Sequence, residues 1–335
     1  MKKTLVIALC LLMAITALFA GCGNTATEDP TNAADSAALK CGSGVYVSNL
    51  AVTDATEDKD GSGKIDITVA AVTVDVNGKI VACALDTASN TVAFTADGKA
   101  VANEEFKTKY EMGADYNMVA YGGAAKEWFE QADAFETLVA GKTLEEVKAL
   151  VAEGNKGTDE VVTAGCTIMI NEFVAAIEKA YNAASESAVT AADTLKVTAA
   201  TEQTCTDATE EKDGSNKVAT TVFASAVNAE GKVVAASSDC VEVSFTFDMA
   251  GVATLDTTKE VVSKKEQGAN YGMVAYGGSE KEWFEQAAAF DAACIGKSAS
   301  EIAGLVAEDG KGVADLQSAG CTIYVTGFVK AASKI

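Results

Sequence analysis

The chain has no histidine, and every one of its 26 basic residues is lysine. Without histidine there is no imidazole base and no supply of the commonest transition-metal ligand; without arginine there is no bidentate guanidinium clamp. Ser-His-Asp and Cys-His catalytic sites are excluded, and neither haem nor zinc is expected as a cofactor. Basic charge is scarce as well: 48 acidic residues outweigh the lysines and leave a formal charge of −22. A surface of that sign repels a phosphate backbone, so nucleic acid is not an expected partner. Any chemistry must rest on carboxylates, thiols, tyrosines, lysines or a bound cofactor.

What is present begins with an address. Met1-Lys2-Lys3 precedes an apolar run from Leu5 to Phe19, which ends on Ala20-Gly21-Cys22. The run is too short for an independent membrane span and has the three-part layout of a secretory signal. Its ending resembles the bacterial lipoprotein box, which implies a signal over 1–21, acylation of Cys22 and a lipid anchor on the extracytoplasmic face of the cell membrane. The alternative is an ordinary signal cleaved near Ala20. Residues 22–37 are small and polar, contain the only proline, Pro30, and are expected to form a flexible tether.

The remainder is written twice. Asp54-Ala-Thr-Glu-Asp-Lys-Asp-Gly-Ser returns 153 residues later from Asp207, and Tyr116-Asn-Met-Val-Ala-Tyr-Gly-Gly returns 155 residues later from Tyr271. Lys126-Glu-Trp-Phe-Glu-Gln-Ala returns from Lys281. A period this long predicts two globular copies, over 38–183 and 190–335 with a linker at 184–189, rather than a solenoid.

Within a copy, the first half alternates at period two. Ile65, Ile67 and Val69 share one face, and after Ala70-Ala71 the phase moves to Val72, Val74 and Val76, which predicts a β-bulge in one long strand. Asn77-Gly78 and Asp97-Gly98 are hairpin turns. The second half has helical spacing at Trp128, Ala132, Phe135 and Val139, a glycine stop at Gly141, and capping boxes at Thr143/Glu146 and Ser298/Glu301. The expected fold is α+β: two tandem copies of a domain with an antiparallel meander sheet packed by helices.

Three groups of residues are candidates for chemistry. Asp58-Lys-Asp60-Gly-Ser62 begins like a calcium loop, but Val69 stands where the closing glutamate belongs, so an acidic hairpin turn is expected and no metal. Tyr121-Gly122-Gly123 and Tyr276-Gly277-Gly278 offer aromatics and close backbone approach for a flat ligand; the alternative is a turn leading into a core helix. Cys166-Thr167 and Cys321-Thr322, in "TAGCTI" and "SAGCTI", hold the only two cysteines that match between copies. Each is a candidate thiol site or a small buried residue beside a turn. Of the other mature cysteines, Cys41 with Cys83 and Cys205 with Cys240 are open to pairing or to standing free.

The late motif carries a resemblance. Asp315-Leu-Gln-Ser318-Ala319-Gly320-Cys321 is similar to the D-x-x-S-G-A-T motif of the FMN-binding domain family, with Ala-Gly inverted and Cys321 at the flavin-acceptor position; Glu160 and Thr163 replace Asp and Ser in the first copy. The chain also resembles clostridial-type surface lipoproteins. The family resemblance implies FMN held near Ser318, Cys321, Thr322 and their first-copy partners Cys166 and Thr167, and a role as a membrane-anchored binding protein or electron carrier. The alternative is a non-catalytic surface lipoprotein for adhesion or solute binding. The test of the flavin expectation is the visible spectrum of the mature protein before and after acid precipitation. Covalent flavin leaves yellow in the pellet, and a colourless protein that takes up no added FMN sinks the expectation.

Overall fold

The computed structural model describes residues 38–335 except 104, 257 and 259. The expected signal, Cys22 and the tether lie outside the described residues. The first repeat contains β1 (Lys40–Thr53), β2 (Gly61–Val74), β3 (Ile80–Phe94), β4 (Ala100–Val101), α1 (Lys109–Met112), α2 (Trp128–Val139), α3 (Leu144–Lys148), α4 (Asp159–Ala164) and α5 (Asn171–Asn182). A short β5 (Ser185–Glu186) follows. The second repeat contains β6 (Thr194–Thr206), β7 (Gly214–Val227), β8 (Val233–Phe247), β9 (Ala253–Thr254), α6 (Lys264–Gln267), α7 (Trp283–Cys294), α8 (Ala299–Ile302), α9 (Ala314–Ser318) and α10 (Thr326–Ala332). The described residues thus form an α+β protein with two antiparallel sheets, ordered β4-β3-β2-β1-β5 and β6-β7-β8-β9.

Local chemistry explains the elements. Asp75 accepts from the N–H groups of Asn77 and Lys79, and Gly78 takes φ +76°, which closes the β2–β3 hairpin. Helix α2 opens on a Glu127/Glu130 capping box and buries Trp128, Gln131, Ala132, Phe135 and Val139 on one face. Thr143/Glu146 and Ser298/Glu301 cap α3 and α8. Gly42 and Gly44 are required by packing: a Cβ on either would collide with the α5 backbone at Ala180.

Each sheet has two covered faces. Ala70, Val72 and Val74 point to a core shared with α2 and α5. Val45, Ile65, Ile67, Val69, Val92 and Phe94 point the other way, into a core completed by Ala199, Val218, Val222, Val241, Phe245 and Phe247 of the second sheet. The layers therefore run helices, sheet, sheet, helices. The predicted bulge at Ala70-Ala71 does not occur: β2 pairs with β1 and β3 in unbroken register there, and the irregularities fall between Ser48 and Ala51 and at Thr73/Val74. The change of phase has another cause. One end of β2 buries its side chains against the second sheet, and the other end buries them against helices.

The contacts between repeats are reciprocal. Ala55 N–H donates to Gly251 O and Ala208 N–H to Gly98 O, both at 2.8 Å. Ala253 N–H donates to Asp54 and Ala100 N–H to Asp207, at 2.8 and 3.0 Å. Lys179 pairs with Glu266 and Lys334 with Glu111, both at 2.6 Å. Phe94 stacks on its own counterpart Phe247, with centroids 4.5 Å apart and planes 9° from parallel. This is isologous packing, as in a two-fold dimer, inside one chain. The acidic turn motif thereby acquires a structural task, since Asp54 and Asp207 each cap a strand of the other repeat.

All seven described cysteines are free. Register explains why. Cys41 lies opposite Thr73 and Cys83 opposite Val72, so the two thiols sit on opposite faces and two strands apart. Cys205 and Cys240 lie opposite Asn216 and Thr221, about 16 Å apart along β7 at the usual strand rise.

Phe94→Ala is expected to cost about 3–5 kcal/mol as a large-to-small core change, and to unfold both repeats together. Urea curves followed through Trp128 alone and through Trp283 alone, each with the other tryptophan changed to Phe, should share one midpoint; separate midpoints would show that the sheet-to-sheet core does not couple the halves.

Candidate functional site

The repeated "AGCT" segments are built by one buried glutamine each. Gln131 accepts from Thr167 N–H at 2.8 Å and from its hydroxyl at 2.9 Å, and Gln286 holds Thr322 in the same way at 2.8 and 3.0 Å. Cys166 and Cys321 turn inward to the helix-side cores, and burial pushes both thiols up to about 11. Ser318 is exposed at the end of α9. Tyr121-Gly122-Gly123 and Tyr276-Gly277-Gly278 occupy surface loops, with the tyrosines 88% and 92% exposed, and each loop is tied to the start of a helix by Glu127 or Glu282. Buried thiols, hydroxyls committed to glutamine and a solvent-facing aromatic loop do not together make a cradle for an isoalloxazine. These residues do not fit FMN as placed.

A different constellation recurs in both copies. The outer edges of β3 and β8 carry partner strands only at their far ends, through β4 and β9. Exposed edge N–H groups invite foreign strands, and a buried one without a partner costs stability. Carboxylates meet this need, three of them buried and Glu136 partly so. Glu136 accepts from Leu85 N–H at 2.6 Å and Asp86 from Thr87 N–H at 2.7 Å; Asp291 accepts from Ser238 N–H at 3.0 Å and Asp239 from Cys240 N–H at 2.7 Å. Asp86 and Asp239 also accept from an N–H in the first turn of the next helical segment, from Tyr110 and Lys265. Burial raises the pKa of all four, to about 6 for Asp86 and about 8 for Glu136. Sequence reading missed these pairs because each joins residues some 50 positions apart within a chain crowded with acids.

The second pair opens onto a cavity of about 940 Å³ where the two sheets part. Its walls include Ser43, Ser225, Ser237, Asp239, Lys265 and Asp291, with the outer edge of β8 and the start of β1. Lys265 Nζ donates to Ser237 Oγ at 2.7 Å, and Ser237 Oγ bonds Ser43 Oγ of the other repeat at 2.7 Å. Ser225 is 2% exposed and its hydroxyl has no hydrogen-bond partner. The two seams differ at equivalent positions. The positions of Val72, Ala84 and Val197 on the first-copy seam are Ser225, Ser237 and Ser43 here, while Asp133, Glu136 and Thr137 have become Ala288, Asp291 and Ala292. The second seam has less bulk on the helix and more hydroxyls on the strands.

No family model, curated protein or solved structure matches the chain. Among the described residues no group of three or more acids or cysteines is arranged to hold a metal, and no helix is long and apolar enough to cross a membrane.

The raised carboxylates fix a pH dependence. The folded chain keeps protons on Glu136 and Asp86 that the unfolded chain releases near ~4.3 and ~3.9, so it binds more protons between those values and about 8 and about 6. Stability therefore falls as pH rises through that window. Carboxylates with lowered pKa, such as Glu242, act in the opposite direction but are already ionised above pH 5. Urea midpoints should drop between pH 5 and 8.5, and Glu136→Gln, which keeps an acceptor for Leu85, should flatten the drop; an unchanged slope would refute the assignment.

Proposed function

We propose that the protein is a membrane-anchored, extracytoplasmic binding protein that holds a small molecule in the seam cavity. The observation that carries this reading is the asymmetry between two related seams. One has Val72, Ala84, Asp133 and Thr137, while the other has exchanged them for serines and alanines around a cavity. Its volume falls within the roughly 300–1,000 Å³ common for small-molecule pockets. An unpartnered buried hydroxyl is a cost that a ligand relieves.

The two repeats are read here as one binding unit rather than as two independent modules, because the cavity takes walls from both. The anchoring part rests on the lipoprotein box around Cys22. Where the chain enters β1, Leu39 donates its N–H to Val189 O and accepts from the Ser187 hydroxyl, beside the cavity wall, so a lipid tether at Cys22 would hold the cavity close to the membrane surface. Sequence resemblance puts FMN on the panel, although its anionic phosphate would face Asp239 and Asp291 and makes it a poorer match to the cavity than a cationic or neutral compound.

Thermal melts of the mature protein against a metabolite panel that includes FMN test the reading. A ligand at 100 times its Kd should add about 2.7 kcal/mol of stability and raise Tm. Ala292→Trp, which places a large side chain at the cavity wall, should abolish the rise. A panel without any stabilising compound, or a rise that survives Ala292→Trp, would count against it.

A further inference from the structure

We propose that the seam cavity selects small organic ammonium compounds, with the amine nitrogen held between the Asp291 carboxylate and the Ser225 hydroxyl. This rests on the cavity being the ligand site. Asp291 Oδ1 and Oδ2 each accept one hydrogen bond from Ser238, at 2.5 and 3.0 Å. A carboxylate has about four acceptor positions, so about two stay open. Ser225 lies on the same side of its sheet. Ser238 is paired with Phe223, and side chains two residues apart on a strand share a face, so Phe223, Ser225 and Ser238 share the helix-side face; Phe223 meets Phe290 of α7, Ser238 meets Asp291, and Ser225 lines the same cavity as Asp291. A primary ammonium offers three donors, which matches two open carboxylate positions and one serine oxygen.

Charge favours the same sign. Asp239 and Asp291 face the cavity with Lys265 as the neighbouring cation, while Lys179 is already neutralised by Glu266 and Glu186 stands at the rim. Three donors satisfy Asp239, from Cys240 N–H, Lys265 N–H and the Ser263 hydroxyl. Asp291 has only Ser238 and a longer-range field from Lys265. A buried carboxylate short of a counter-charge attracts a cation and repels an anion. Space for an alkyl chain is provided by Ala235, Ala236, Ala288 and Ala292. The comparison between copies agrees: Glu136 has become Asp291, one methylene shorter, and the Asp133 and Thr137 side chains that would stand beside it are gone.

Isothermal titration of the mature protein with n-butylamine, 1,4-diaminobutane, n-butanol and butyrate reads out the selectivity. The amines should bind at least tenfold more tightly than the alcohol or the acid. Ser225→Val, which installs the first-copy residue, and Asp291→Asn should each weaken amine binding tenfold or more; Ser225→Val removes an unpartnered buried hydroxyl and should not lower Tm, so it carries the test even if Asp291→Asn folds poorly. Butanol or butyrate binding as well as the amines would overturn the ammonium assignment while leaving the cavity a ligand site. Amine binding that survives Ala292→Trp would remove the cavity itself, and no amine binding at all would overturn the proposal.

Discussion

Burial of both faces of the central strands is the constraint on which the rest depends. β2 and β7 have helices on one side and another sheet on the other, so almost no side chain along them meets water. Polar residues in that position must find each other: Thr68 with Thr87 at 3.0 Å, Asn90 with Thr220 at 3.0 Å, Gln203 with Asn216 at 2.7 Å. Two of these residues, Asn90 and Thr220, come from different repeats, so specificity of docking is written into the same layer as its hydrophobic drive. Phe94 and Phe247, the last residues of β3 and β8, stack on each other within that layer.

The same burial determines what happens at the strand edges. Helices that cover a sheet also cover part of its margin, and Leu85, Thr87, Ser238 and Cys240, whose N–H groups point outward there, are buried. Carboxylates brought in by α2 and α7 take water's place, but they do so where ionisation is disfavoured. A structural repair thereby leaves titratable groups at two related positions. In the first repeat the surroundings are filled by Tyr110, whose hydroxyl donates to Asp133 at 2.8 Å; in the second the corresponding space is open.

Much of the local architecture was legible in the sequence, because its causes are local. Asn77-Gly78, Gly141, the Thr143/Glu146 and Ser298/Glu301 boxes and the apolar stripe of α2 each act over a few residues. The relation between the repeats was not legible. Asp54 looks like a turn residue until its partner Ala253 is seen, and the phase change at Ala70-Ala71 looks like a bulge until a second sheet lies on Ile65 and Ile67. The conspicuous cysteines turned out to be wall filling beside Gly165 and Gly320, at φ +104° and +100°, with a glutamine from 36 residues away fixing the loop. The acid pairs had no short-range signature at all.

Reciprocal contacts across a two-fold axis ordinarily duplicate every surface feature, so two identical subunits docked in this way would carry two equal seams. Joining the subunits in one chain lifts that obligation. The Phe94–Phe247 stack and the Asp54 and Asp207 caps keep their symmetry, while the residues around Asp291 have drifted from those around Glu136. Covalent linkage thus separates holding the halves together from presenting a pocket, and under the proposed function it would set the occupancy of the seam cavity at one ligand per polypeptide rather than two.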